Sequence, residues 1–378
     1  MTPAPEITPL VFVGGSRDSA IEALLADSHQ AIAQDLLDRV KALPGFRRPI
    51  VTTSSPSFAR SLANQDVCVV LDEGDFHFGR SLARLIERFG VEQAFYLGGG
   101  SAPLLTTREL LDISRLLATN DRSLVANNFY SCDFVAFRPA DAIQHISLPA
   151  IDNDLAVRLQ RQANLQNIPL PRSPATQMDV DTPTDLLVLT LHPDVGPSLR
   201  AFLAQADLDT SRVRATARYL TDPNAEVIVA GRVGSHVLAH LETDLACRTR
   251  VFSEERGMRA SGREDRGEVR SLLGFHLSAV GPQQLFDDLG KLGDAAFIDS
   301  RVVFNHLGLR LSASDRFHSD LLQPEAIVDP VARAFTQAAL AAPIPVVLGG
   351  HSLVAGGLWV LSDAAWRERD RELGLTPR

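Results

Sequence analysis

Apolar residues recur along this chain in two rhythms. Leu10–Val13, Pro49–Thr53, Val67–Leu71 and Gln93–Leu97 are short, mostly apolar runs, as expected of strands buried on both faces. Between them the apolar positions fall three and four apart. In Ala20–Leu43, residues Ile21, Leu24, Leu25, Ile32, Leu36, Leu37 and Val40 share one broad helical face. Ser57–Ala63, Phe78–Phe89 and Thr107–Leu117 read as further helices. Strand alternating with helix predicts an α/β fold, a Rossmann-like parallel sheet covered on both sides. Ligands of such sheets bind at the carboxyl ends of the strands. That directs attention to Gly14-Gly15-Ser16-Arg17, to Gly98-Gly99-Gly100, and to the helix start at Asp181.

The rhythm breaks around His192–Pro197, where helical stretches Ser198–Ala206 and Ser211–Leu220 follow. It then resumes with strands Glu226–Ala230, Arg250–Ser253, Ala295–Ile298 and Ile344–Leu348, and helices His236–Leu245, Pro282–Leu289 and Pro330–Ala341. Since 378 residues exceed one ordinary core, two domains are expected, 1–195 and 196–378. The second is an α/β domain that no familiar pattern assigns. The charged tail Trp366–Arg378 is expected to fray.

Composition narrows the partners. A formal net charge of −9 argues against a general nucleic-acid or anionic-membrane binder. The three cysteines, Cys68, Cys132 and Cys247, are too scattered for a disulfide framework or a zinc site. Cys68 lies in an apolar run and reads as a small core residue. Met1–Pro5 carries no signal-like stretch, and Ile344–Leu361, with Pro345, paired glycines and His351, would make a poor spanning helix. A cytoplasmic protein is expected.

The most informative segment is Asp179-Val180-Asp181-Thr182-Pro183-Thr184-Asp185-Leu186. Thr182 or Asp181 can cap a helix, Pro183 suits its first turn, and Asp185 complements the positive end of its dipole. A well-capped helix with no chemistry satisfies all of that. Yet the cap does not need both Asp179 and Asp181, which on an extended segment point the same way and could share a hard cation. The segment resembles the D-x-D-T-P-x-D-L element of nucleotidyltransferases of the molybdenum-cofactor guanylyltransferase and sugar-acid cytidylyltransferase type.

Two further stretches carry the resemblance, which covers residues 8–192. Leu97-Gly98-Gly99-Gly100-Ser101-Ala102-Pro103-Leu104-Leu105 looks like the family's second signature, with Ser101 where an aspartate that binds magnesium belongs. Gly14-Gly15-Ser16-Arg17 follows the first strand, where the family places a phosphate-cradling loop ending in a basic residue. The resemblance implies a GT-A-like domain holding magnesium through Asp179, Asp181 and, as substitute ligand, Asp133. It implies nucleotide contacts from Gly14, Gly15, Ser16, Gly99, Gly100 and Ser101, with Arg17 and Asp181 as the catalytic pair. Asn127, Asn128 and Asp133 would face the acceptor, although Asn and Asp also cluster in turns without any ligand. Serine is a weak magnesium ligand. Either the other carboxylates and the triphosphate hold the metal, or Asp133 has taken over, or catalysis is lost.

The implied reaction is transfer of a nucleoside monophosphate from a triphosphate to a phosphorylated or acidic small molecule, with release of pyrophosphate. A homodimer is compatible with this reading. The alternative is a degenerate transferase domain that only binds a nucleotide or a partner. The second half has its own polar constellation. Phe252–Arg263 packs arginines and glycines beside Glu254 and Glu255, suiting either an anion or an internal salt-bridge network. Asp299-Ser300-Arg301, His306, Asp315–Asp320 and Gly349-Gly350-His351-Ser352 match no standard metal spacing. Gly231-Arg232-Val233-Gly234-Ser235 reads best as a tight turn capped by Ser235.

Overall fold

The computed structural model describes residues 6–72 and 74–376. Two compact units share the chain. The first comprises residues 1–15, 26–179 and 196–202, and the second 16–25, 180–195 and 203–378. The chain passes between the units at 15/16, 25/26, 179/180, 195/196 and 202/203.

The first unit is built on seven strands: β1 (Ile7–Val13), β2 (Ile50–Thr53), β3 (Cys68–Leu71), β4 (Gln93–Gly98), β5 (Ser123–Ala126), β6 (Phe134–Arg138) and β7 (Gln166–Pro169). Their order is β3-β2-β1-β4-β6-β5-β7. The sheet is mixed, which corrects the all-parallel expectation: β6 runs antiparallel to both β4 and β5. Residues alternate faces along each strand. Leu10 and Phe12 of β1 join one apolar layer, with Phe78, Leu82 and Ile86. Ile7, Val11 and Val13 join the other, with Leu36, Leu37 and Leu110. Each fully buried Leu or Phe here contributes about 1.5–3 kcal/mol.

Helix Phe78–Phe89 shows how the sequence sets its own limits. His77 Nδ1 accepts from the Arg80 backbone N–H at 3.3 Å, and Gly90 ends the helix in the left-handed conformation, φ 58°. Phe78, Leu82, Leu85 and Ile86 lie buried at helical spacing between these ends.

The second unit holds four parallel strands: β8 (Glu226–Gly231), β9 (Arg248–Ser253), β10 (Ala295–Asp299) and β11 (Val346–Gly349). Their order is β11-β10-β8-β9, and Ile228, Ile298, Phe286, Phe335 and Leu348 lie in their core. The charged tail corrects its expectation. Its residues 366–372 belong to helix Leu358–Glu372, and the Trp366 indole donates to the Asp244 carbonyl at 2.7 Å; 377 and 378 lie outside the described residues. Asp370 is 4% exposed. No helix among the described residues is long and apolar enough to cross a membrane.

Candidate active site

In the first unit, β2 and β3 lie to one side of β1 and β4 to the other. The connection reverses direction between β1 and β4, and a crevice opens at such a switch point, beyond the strand ends. β1 and β4 are paired in parallel with Phe12 opposite Gly98, so the two glycine turns emerge side by side. Their glycines serve different ends. A Cβ at Gly99 would stand 3.1 Å from the Phe12 carbonyl and 3.3 Å from Val13 Cα, so the turns approach too closely for a side chain. Gly15, at φ +146°, lies in the region glycine favours, and a Cβ added there would stand 3.0 Å from Ala26 Cβ. A Cβ at Gly14 would meet nothing within 4 Å, so the backbone there faces open space.

Ser101, on the turn after β4, is 4% exposed. Its hydroxyl donates to the Gly98 carbonyl at 2.7 Å, as does its backbone N–H at 3.1 Å. Ala102, next along, takes φ 54°, a strained conformation for a residue with a side chain. Ser101 pairs with Asp179 in an isolated antiparallel bridge, which brings the first aspartate of the octamer to the glycine turn. Asp133 is brought there too, since its carbonyl accepts from the Gly98 N–H at 3.1 Å.

Asn127 holds Asp133 in place. Its amide nitrogen donates to Asp133 Oδ2 at 2.6 Å, and its oxygen accepts from the Asp133 and Phe134 N–H groups at 3.0 and 3.3 Å. Asn128 accepts from the Tyr130 N–H at 3.2 Å, the turn chemistry typical of its residue type. Tyr96, 3% exposed, donates its phenol to Asp152 Oδ2 at 2.6 Å. Burial first, and then the Asp152 charge, push that phenol well above its ordinary pKa. Asp152 thus has a structural partner.

The remaining predicted residues belong to the second unit: Ser16, Arg17 and Asp181. Ser16 and Arg17 are exposed. Asp181 is exposed and accepts from the Ser352 hydroxyl at 3.3 Å. Asp185, by contrast, is wholly buried at the start of helix Pro183–Thr190. Its Oδ2 accepts from the Asp181 and Thr182 N–H groups at 3.0 and 2.7 Å, while Oδ1 has no partner. Burial, then the neighbouring Asp181, raise its carboxyl to about pKa 8. It caps the helix as a neutral acid at pH 7, and so does not complement the dipole with a charge, as the sequence suggested.

Among the described residues no group of three or more His, Cys, Asp or Glu side chains stands positioned to hold a metal ion. The main chains of two acidic residues of the first unit, Asp133 and Asp179, reach one turn. A pair of carboxylates fits magnesium when triphosphate oxygens and water complete the shell, the usual arrangement for nucleotide-bound magnesium.

Sequence reasoning missed the second unit's charge pairs. Arg232 and Asp299 form a forked pair, Nε to Oδ2 at 2.5 Å and Nη2 to Oδ1 at 3.1 Å. Arg301 and Asp320 form another, wholly within the core. Strand-end position flagged Asp299, but its partner lies on another strand's loop, which no local pattern indicates. The arginine-rich loop resolves partly into the salt-bridge reading: Arg263 makes two bonds of 2.8 Å to Glu255. Ser235 is not a cap; Gly234 holds that position and Ser235 is the first helical residue.

No family model matches this chain, and no curated protein matches it significantly. Some solved structures are similar to part of the chain. A protein from Desulfovibrio desulfuricans G20, named as a nucleotide-diphospho-sugar transferase, is similar over 54% of this chain and 99% of its own, at 17% identity and TM-score 0.40. CMP:2-keto-3-deoxy-manno-octonic acid synthetase, complexed with CTP, is similar over 53% of this chain and 99% of its own, at 12% identity and TM-score 0.38. The 4-diphosphocytidyl-2C-methyl-D-erythritol synthase of Anaerococcus prevotii DSM 20548 is similar over 48% and 95%, at 12% identity and TM-score 0.35.

Proposed function

We propose that the first unit is a nucleotidyltransferase domain, moving a nucleoside monophosphate from a triphosphate to a phosphorylated or acidic small molecule. One observation carries this reading. The turns after β1 and β4 meet at the switch point with Asp133 and Asp179 beside them. An acceptor oxygen would attack the α-phosphorus as the bond to the β-phosphate oxygen breaks, and pyrophosphate would leave. Magnesium, bound mainly through the triphosphate, would offset the charge on the phosphate oxygens.

The protein's share is positioning. The open backbone at Gly14 and the Gly99-Gly100 turn would receive the nucleotide. Asn127 would act through Asp133, whose orientation it fixes, and Asp133 and Asp179 would face the metal. Ser101, its hydroxyl committed to Gly98, would shape the turn. The resemblance also implies phosphate contact for Arg17 and a metal contact for Asp181, both of which belong to the second unit.

That same Ser101 hydrogen bond favours a second reading, in which the domain binds a nucleotide without turning it over. The two are separated by a thermal-shift screen of ATP, CTP, GTP and UTP, with and without magnesium, paired with a pyrophosphate-release assay. A magnesium-dependent shift with release supports transfer. A shift without release, across a panel of sugar-acid and sugar-phosphate acceptors, supports binding alone. No shift with any triphosphate overturns both.

A further inference from the structure

The second sheet contains a switch point of its own. β9 lies to one side of β8, with β10 and β11 to the other, so the carboxyl ends of β8 and β10 flank a crevice. The chain places charge there. Asp299, the last residue of β10, is fully buried and holds Arg232, just beyond β8, in the forked pair described above. A Cβ at Gly231 would stand 2.4 Å from Asp299 Cβ, so only glycine lets the two approach. Arg232 Nη1 is left without a hydrogen bond.

Two further groups converge on this pair. β11 ends opposite Asp299, with Gly349 as its register partner, and His351 follows two residues later. The His351 ring makes no hydrogen bond among the described residues, yet it feels the charges of Arg232, Asp299, Asp181 and Arg256. Arg256, in the loop after β9, is exposed. A Cβ at Gly234 would stand 2.7 Å from the His236 ring and 3.5 Å from the Arg256 guanidinium carbon, so both side chains border this helix start. Gly234 starts helix Ser235–Asp244 without a side-chain cap.

We propose that this edge of the second sheet binds a small phosphate monoester, its phosphoryl group held by Arg256 and Arg232 at the start of helix Ser235–Asp244 and its hydroxyl-bearing part lying toward His351. Forked guanidinium groups match phosphoryl oxygens, and an uncapped helix start adds backbone donors. Asp299 fixes Arg232 so that its remaining donors are preorganised. The His351 ring, two residues beyond the end of β11 beside Asp299, offers a nitrogen that can pair with a ligand hydroxyl. The carboxylates of Asp299 and Asp181 would repel a polyanion such as a triphosphate, which selects for a ligand with one phosphoryl group.

The site borders Asp181, which the transferase reading also uses, so its ligand is tested with probes that carry no triphosphate. Isothermal titration of the full chain would compare inorganic phosphate, glycerol 3-phosphate and ribose 5-phosphate with glycerol. Binding of a phosphorylated probe, none of glycerol, and a loss of about fivefold or more in both Arg256→Gln and His351→Gln are the expected results, the scale of one charge-assisted contact. Arg256 is exposed, so its variant tests the idea even if His351→Gln fails to fold. Asp133→Asn, in the first unit, should bind the ester as the wild type does. No heat from any phosphorylated probe at about ten times a millimolar Kd overturns the proposal. So does a smaller loss in Arg256→Gln, or an equal loss in Asp133→Asn.

Discussion

Ser101 and Asp179, far apart in sequence, meet backbone to backbone in a single antiparallel bridge at the end of β4. The bridge uses main-chain groups, so it fixes the place of Asp179 without using its carboxylate. Asp179→Asn keeps that main-chain bridge, so its melting without magnesium gives the baseline against which the effect of the ion is read. If Asp179 faces the metal, the same variant loses the magnesium-dependent part of triphosphate stabilisation. Denaturation with and without magnesium and the responding triphosphate checks this outcome. Full retention of the magnesium effect would remove Asp179 from the site.

Asp35 should prove one of the first unit's structural pivots. It is 3% exposed and accepts from the Ser198 and Leu199 N–H groups at 2.8 and 2.9 Å, capping helix Pro197–Gln205 from a distant segment. Gly196 makes room for it: a Cβ there would stand 2.3 Å from Asp35 Cγ. Asp35→Ala should cost about 1–2 kcal/mol, the scale of a lost helix cap. Gly196→Ala should cost about 1–3 kcal/mol through overpacking. Chemical denaturation of the two variants measures both costs, and the double variant should cost less than their sum because the clash vanishes with the carboxylate.

Asp185 predicts a pH dependence. In the folded chain its carboxyl holds its proton up to about pH 8, against an ordinary value of 3.8. Between those values unfolding releases a proton. Stability therefore falls as pH rises from about 4 to about 8 through this group, and levels off above. Asp185→Asn supplies the same oxygen acceptor with a neutral donor where Oδ1 now stands alone. The variant should flatten this part of the stability profile and, above pH 8, be more stable than the wild type. An unchanged slope in paired urea titrations from pH 5 to 9 would refute the assignment.

These cases show where the sequence speaks and where it stops. Helix Phe78–Phe89 was legible to the residue, because its apolar period and Gly90 lie in one local stretch. The antiparallel β6 was not, because an apolar run has no direction until its partners are known. The terminal helix was read as a fraying tail because its charges dominate, while the contacts that hold Trp366 and bury Asp370 are distant. At the candidate site, the glycine turns and strand ends were legible, as was the departure at Ser101. The commitment of the Ser101 hydroxyl to Gly98, the Asn127 clamp on Asp133 and the Arg232–Asp299 pair depend on tertiary placement that spacing does not encode.

Ser101 and Asp133 give the sharpest test of whether the first unit works as an enzyme. The Ser101 hydroxyl is turned to its own turn, and it would bring no charge to a metal in any case. Asp133 reaches the same turn through its carbonyl, and Asn127 locks its side chain with a 2.6 Å bond. If Asp133 has replaced the missing aspartate, Asp133→Ala should abolish pyrophosphate release, and Asn127→Ala should lower it by about tenfold or more by releasing the carboxylate. Ser101→Asp should then preserve or raise turnover, since it adds a second acidic ligand beside the first. The outcome that sinks this reading is specific. If Asp133→Ala leaves magnesium-dependent behaviour intact, while Ser101→Asp confers magnesium binding that the wild type lacks, the carboxylate was lost without replacement. The domain would then bind its nucleotide without transferring it.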